Sequence, residues 1–432
     1  MAGIKLAYVG GGSSRAPGTV ASLLERADGF ASSEVVLIDL DPGRLDIVRR
    51  FAQGLARSKG ADVTFSATTD RRAGLSDCDA VLTAYRPGGF KARVLDERIP
   101  LKHDVIGQET QGPGGFFMAL RSVHVMRDIC TDIEAVCPGA RVFNYTNPVN
   151  IVSQAVTTHS PVHIASFCEG PIVFPQFLAE AAGLDPDGLD VTMVGVNHNC
   201  WSVRHNYQGK DLIAIIKERY EERLTDPSLT KHQRRMLHLA TTMGAVPSEY
   251  FQYYYFGAEV LSELKAKPTT RAEDILARVP EYWEHYSEQA ASPNPELDPR
   301  RSRGGIHELE LALDAIDALF NDKDEVLPVN ILNTGRPAAG FDEDVVVELP
   351  CRVNGAGFEP LRQPELPHEV RGLVAMLAEY QVAAGDAAWS GDRRSAIKAL
   401  AANPLVMSLP KAEAIYAEMA HALGDLLPER LR

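Results

Sequence analysis

Ile4-Lys5-Leu6-Ala7-Tyr8-Val9-Gly10-Gly11-Gly12-Ser13-Ser14-Arg15 is an apolar run that passes through a glycine turn, and from Thr19 to Leu24 apolar residues return at helical spacing. A strand entering a helix through glycines lets the backbone approach a ligand, and the first amides of the helix favour a pyrophosphate. Gly10 and Gly12 supply two glycines of the G-x-G-x-x-G fingerprint, with Arg15 in the third place and Ser13 and Ser14 between. A second run, Val35-Val36-Leu37-Ile38, ends at Asp39. An acid there accepts the ribose hydroxyls of NAD and disfavours the 2′-phosphate of NADP. On spacing alone, a purely structural turn stays open.

Outward from this start the alternation continues. Arg44 to Leu55 reads as a helix, and Ala80–Ala84, Val142–Tyr145 and His163–Phe167 read as further strands of a Rossmann-type, doubly wound parallel sheet. After a strand at Val191–Val196 the texture changes. Asp211–Gly244 is charged and helix-favouring, Ala258–Val279 and Leu309–Phe320 are helical, and Ser292–Pro299 is a proline-rich loop. Val329–Leu332 and Val345–Leu349 suggest a second, antiparallel sheet, and Pro367–Leu427 a run of apolar helices. The expectation is an NAD-binding domain over 1–190 and an α+β substrate-binding and oligomerisation domain over 191–432.

The chain has 432 residues, 45% hydrophobic and 24% charged, which excludes fibrous and disordered classes. Its formal net charge of −14 repels phosphate backbones, so nucleic acid is not expected as a partner. The apolar start is too short for a signal or a membrane span. Six cysteines form no CxxC pair, as expected of a cytoplasmic protein with reduced thiols.

Polar residues follow several of these strands, where a parallel sheet opens its ligand crevice. Asn144-Tyr145-Thr146-Asn147-Pro148 is one such stretch, Cys168-Glu169-Gly170-Pro171 a second and Asn197-His198-Asn199 a third. Cys168 and His198 are borderline-soft ligands, and together they suit a metal with open positions; a structural pair is the competing reading. Tyr85-Arg86-Pro87-Gly88-Gly89-Phe90-Lys91-Ala92-Arg93 places arginines where a phosphate or carboxylate would bind. A solvated loop is equally compatible with that spacing. Ser248–Phe256 is dense in aromatic residues, either core or the source of a tyrosine base. Arg303-Gly304-Gly305 could hold an anion.

Together these stretches, with Asp96–His103 and Ile106-Gly107-Gln108-Glu109-Thr110, resemble the NAD-dependent family 4 glycoside hydrolases, especially their 6-phospho-β-glucosidase branch. The resemblance covers nearly the whole chain. It implies a fold like that of lactate and malate dehydrogenases and a redox-assisted elimination in place of two-carboxylate hydrolysis. NAD+ takes hydride from C3 of the sugar, a divalent metal, usually Mn2+, polarises the C3 carbonyl, and a tyrosinate removes the C2 proton. The aglycone then leaves, water adds and the hydride returns.

By the same resemblance Cys168 and His198 are the metal ligands, Tyr254 the base with Tyr253 as its rival, and Arg303 a neighbour of the metal. Gly10, Gly12, Ser13, Ser14, Asp39 and Arg86 are assigned to the cofactor, Asn147 to the sugar hydroxyls and Arg93 to the 6-phosphate. Glu169 departs from the family's usual Asn or Asp, is able to protonate a leaving oxygen, and leaves the anomer open. Gln252 and the run Ile306-His307-Glu308 also depart, which admits a non-phosphorylated or differently charged sugar. A hydroxy-acid dehydrogenase would need no metal cysteine, and a non-catalytic NAD-binding sensor would show a damaged metal or base position. A small-molecule sugar is the expected partner, in a homodimer or homotetramer that needs no membrane.

Overall fold

The computed structural model describes residues 3–303 and 309–432. Six parallel strands form one half of its sheet: β1 (Lys5–Val9), β2 (Ser33–Ile38), β3 (Val63–Thr68), β4 (Ala80–Thr83), β5 (Arg141–Asn144) and β6 (His163–Ser166). Their order is β3-β2-β1-β4-β5-β6, so the winding reverses beside β1. At such a reversal the loops after the strands splay apart and leave a crevice. Alternate side chains of β1 feed two separate cores. Leu6 and Tyr8 pack on one face with Leu37, and Ala7 and Val9 on the other with Val36 and Ile38.

The antiparallel half differs from its expected form. Here β7 (Leu189–Val196), β8 (Asn199–Tyr207), β9 (Lys210–Asp211), β10 (Glu325–Leu332), β11 (Val346–Asn354) and β12 (Gly357–Pro360) extend the same sheet instead of making a second one. The joins are narrow: Asn330 pairs with Ser166, and Glu348 with Gly195. Buried polar side chains at those joins accept and donate hydrogen bonds that sequence periodicity does not register. The expected domain boundary near residue 190 falls at the start of β7, and the sheet runs across it.

Other departures concern helices. The charged stretch 211–244 is two helices, Leu212–Thr225 and Lys231–Met243, capped by Asp211, Thr230 and Gly244. The helix expected over 258–279 is broken at Lys267-Pro268 into Gly257–Ala266 and Arg271–Ala291, because proline disfavours a helical residue before it. Helix Gly112–Val136, which buries Phe116, Phe117 and Leu120, lies in the second core. Its first half, Gly112–Val123, is buried on every side, and only its second half, with Met126, Ile129, Cys130 and Ile133 inward, shows the one-sided pattern of a surface helix. Among the described residues no helix is long and apolar enough to cross a membrane.

Candidate active site

The glycine turn has the geometry its sequence predicts. Gly10 adopts φ +101°, and a Cβ there would lie 2.3 Å from the Ala84 carbonyl oxygen, so no other residue fits. Helix Ala16–Glu25 begins with no side-chain cap and no acid in its first turn, which leaves its amides for an anion. The Ser13 hydroxyl beside it is buried without a partner. Asp39 accepts the Gly12 amide at 2.9 Å with one oxygen and the Leu40 amide at 2.7 Å with the other, which fixes its carboxylate at the end of β2. These residues fit a dinucleotide. Helix Arg271–Ala291 closes over the turn, its Tyr286 hydroxyl donating to the Ser14 carbonyl at 2.9 Å.

Next to the turn, four arginines bear on one carboxylate. Glu109 lies 2.9 Å from Arg86 Nη1 and 2.7 Å from Arg93 Nη1, within the field of Arg15 and Arg303. Burial would raise its pKa, but the guanidinium groups win and hold it down to about 2. Arg93 also donates to Glu97 at 2.6 Å, and Glu97 accepts the Ala272 amide at 2.8 Å. Arg86 and Arg93 are therefore anchored, not solvated: Arg93 sits buried in helix Gly89–Lys102, where a loop was one expectation. Arg303 donates to Ser14 Oγ at 3.3 Å and stacks over Phe90 at 4.6 Å. That places it at the glycine turn. Gly304, Gly305 and the run Ile306-His307-Glu308 lie outside the described residues.

The third group surrounds Cys168 and His198. Cys168 follows β6, its sulfur accepts the Gly170 amide at 3.3 Å, and the Asn197 amide also bonds to it. Burial raises the thiol pKa, and Glu348 and Glu169 push it further. His198 is in the two-residue turn joining β7 to β8, where Val196 pairs with Asn199; its backbone is left-handed, φ 65°. Burial holds its imidazole neutral, with a pKa lowered to about 4. A cysteine sulfur and a neutral imidazole nitrogen are ligand types that suit a borderline-soft divalent metal; among the described residues no group of three or more His, Cys, Asp and Glu is placed to hold one.

The tyrosines separate by neighbour. Tyr250 stacks on His198, centroids 4.2 Å apart, and interacts electrostatically with Cys168 and Glu109. Tyr253 faces Glu97, Glu249 and Glu109, whereas the Tyr254 hydroxyl donates to Gln111 Oε1 at 2.7 Å. Burial raises all three phenols. Of the substrate candidates, Asn147 has a buried Oδ1 with no hydrogen-bond partner within the protein. Glu169 takes the Tyr145 hydroxyl at 2.5 Å.

Sequence reasoning passed over Glu109, Thr110 and Tyr250 as individual site residues. Glu109 and Thr110 sit in Gly107–Gln111, a polar run immediately before a glycine-rich helix start, and that position was the available signal. Nothing in the spacing of Ser248–Phe256 distinguishes Tyr250 from its neighbours. A groove of about 520 Å³ between Arg141, His163 and Phe358 lies at the opposite, amino-terminal edge of the sheet, away from these groups.

A sheet of this topology with reactive side chains ringed along its carboxyl edge is the build of a nucleotide-dependent enzyme. The model of family 4 glycosyl hydrolases matches residues 5–184, and that of the family's C-terminal domain residues 193–406. The chain belongs to that family. A "Probable 6-phospho-beta-glucosidase" of Bacillus subtilis (strain 168) is 34% identical over 444 residues, covering 99% of this chain and 98% of the relative. A crystal structure of a 6-phospho-α-glucosidase from gut microorganisms, in complex with NAD and Mn2+, is 26% identical with TM-score 0.87, covering 99% of this chain and 100% of the other. Malate dehydrogenase from Plasmodium falciparum shares the fold alone, 11% identical with TM-score 0.53 over 92% of this chain and 99% of its own.

Proposed function

We propose that this chain hydrolyses a 6-phosphorylated glucoside, with NAD+ as a recycled cofactor and Mn2+ or another divalent metal. The observation that carries the reading is the placement of Tyr250 on His198 beside Cys168, next to arginines held by Glu109. When bound, NAD+ supplies reversible oxidation at C3, and the metal supplies Lewis acidity toward the oxygen formed there. Everything else falls to the protein.

Cys168 and His198 hold the metal, and Gly10, Gly12, Ser13, Ser14 and Asp39 hold the dinucleotide. Arg93 receives the phosphate while Arg86, paired to the same Glu109, serves the cofactor, and Asn147 Oδ1 accepts a sugar hydroxyl. Tyr250 takes the C2 proton; a nearby cation offsets the burial that otherwise keeps its phenol protonated. Tyr254, the motif's first choice, has its hydroxyl committed to Gln111. Glu169, oriented by Tyr145, gives its proton to the leaving oxygen. Arg303 steadies charge at the cofactor turn. Six unpaired cysteines support a reducing, cytoplasmic setting. A homodimer or homotetramer belongs to the same reading.

The test uses p-nitrophenyl α- and β-glucosides, each with and without the 6-phosphate, under reducing conditions. Release should require NAD+, metal and the 6-phosphate, and the productive anomer reports what Glu169 selects. Release independent of NAD+ would overturn the reading, as would NAD+ binding without turnover of any substrate.

A further inference from the structure

We infer that Thr110, itself set by Gln108, fixes the tautomer of His198 and so decides which ring nitrogen faces the metal. The inference rests on His198 being a ligand, as proposed above. The proton count is closed by geometry. Gln108 Oε1 accepts the backbone amides of Thr110 at 2.6 Å and Gln111 at 2.7 Å, so that atom is the oxygen and cannot donate. The Thr110 hydroxyl lies 3.0 Å from the same oxygen and must spend its one proton there. His198 Nδ1 is 3.0 Å from Thr110 Oγ1, which now offers only lone pairs. Nδ1 therefore carries the hydrogen and donates it. The Nε2 lone pair is left for a cation, the arrangement in which an outer hydrogen bond orients a ligating imidazole.

The opposite tautomer would point the threonine proton at Nδ1 and set two oxygen lone pairs against each other across 3.0 Å. The loop cannot shift to avoid this. A Cβ on Gly115 would lie 2.4 Å from the Thr110 carbonyl carbon, and one on Gly114 2.1 Å from the Gln108 carbonyl oxygen, so helix Gly112–Val136 is pressed directly against the relay. His198 is 7% exposed, and Tyr250 covers one face of its ring, which limits reorientation. Thr110 is thus a positioning residue that acts through His198.

The experiment is 15N spectroscopy of the metal-free, histidine-labelled protein, with His198 identified by its loss in His198→Ala, alongside Mn2+ titration. The expected spectrum has a protonated Nδ1 and a pyridine-type Nε2. Thr110→Val should mix the tautomers and weaken Mn2+ about 10- to 100-fold, the usual effect of losing an outer-shell partner, and Thr110→Ser should restore both. A protonated Nε2 in the unsubstituted protein would overturn the inference. So would Thr110→Val leaving both tautomer and affinity unchanged. Failure of the ligand assignment has its own signature: Mn2+ affinity unchanged in His198→Ala.

Discussion

The Tyr250 ring lies on the His198 imidazole at 4.2 Å between centroids, with 16° between the planes. The contact ties a phenol to the metal-binding candidate more closely than any tyrosine the sequence motif singles out. Tyr250→Phe should lower kcat by about 10²- to 10⁴-fold, the range for losing a general base, and leave Mn2+ affinity nearly intact. Tyr254→Phe removes one hydrogen bond to Gln111, worth about 0.5–1.5 kcal/mol, and should cost about tenfold or less. Steady-state kinetics with parallel Mn2+ titrations decide between them; the reverse ranking would return the role to Tyr254.

Cofactor choice is assigned to Asp39 in the proposed function. Its carboxylate is held by the Gly12 amide at the end of β2, the position from which an acid accepts ribose hydroxyls. Asp39→Ala should weaken NAD+ about tenfold, roughly 1.4 kcal/mol, and shrink the discrimination against NADP+. Fluorescence titration with both dinucleotides measures the ratio, and an unchanged ratio would remove Asp39 from cofactor selection.

Much of this was legible in advance, for identifiable reasons. Gly10, Gly12 and Asp39 announce themselves because the strand, turn and acid are local in the chain and only certain residues satisfy the backbone there. Cys168 and His198 could be put forward as ligands because each follows a strand end. Glu109 was not, since its role exists only when Arg86 and Arg93 are folded onto it. The continuity of the sheet through Asn330–Ser166 and Glu348–Gly195 was equally hidden: single bridges between distant segments leave no periodicity. The choice among Tyr250, Tyr253 and Tyr254 depends on which way a short helix is rotated.

Phosphate recognition is assigned to Arg93, whose guanidinium is buried between Glu97 and Glu109. A hydrogen bond from a guanidinium to a phosphate is worth about 1.5–3 kcal/mol. Arg93→Gln should therefore reduce kcat/KM for a 6-phosphorylated substrate about 10- to 100-fold more than for the same glycoside lacking phosphate. Equal losses on both substrates would mean that Arg93 supports the fold around Glu109 and not the phosphate.

Glu348 gives the protein a pH-dependent stability. It is buried at the join between β11 and β7 and accepts Asn197 Nδ2 at 2.8 Å and Asn330 Nδ2 at 2.9 Å. Burial raises its pKa from 4.5 to about 7, against the opposing pull of both amides. A carboxyl whose folded pKa is raised binds more protons folded than unfolded, so this group favours the folded state less as pH rises from about 4.5 to about 7. Glu348→Gln keeps an acceptor for both amides and removes the titration. Urea denaturation should show the variant gaining on the parent between pH 5 and pH 8; a constant difference would mean that Glu348 does not titrate in that window.

The proposed hydrolysis runs through removal of the C2 proton after oxidation at C3. The direct measurement is turnover of the 6-phosphorylated p-nitrophenyl glucoside in D2O with NAD+ and Mn2+, followed by NMR of the sugar product. Deuterium at C2, absent from products of the uncatalysed hydrolysis, is the predicted result. A product formed at full rate with its C2 hydrogen wholly retained would rule out proton removal at C2.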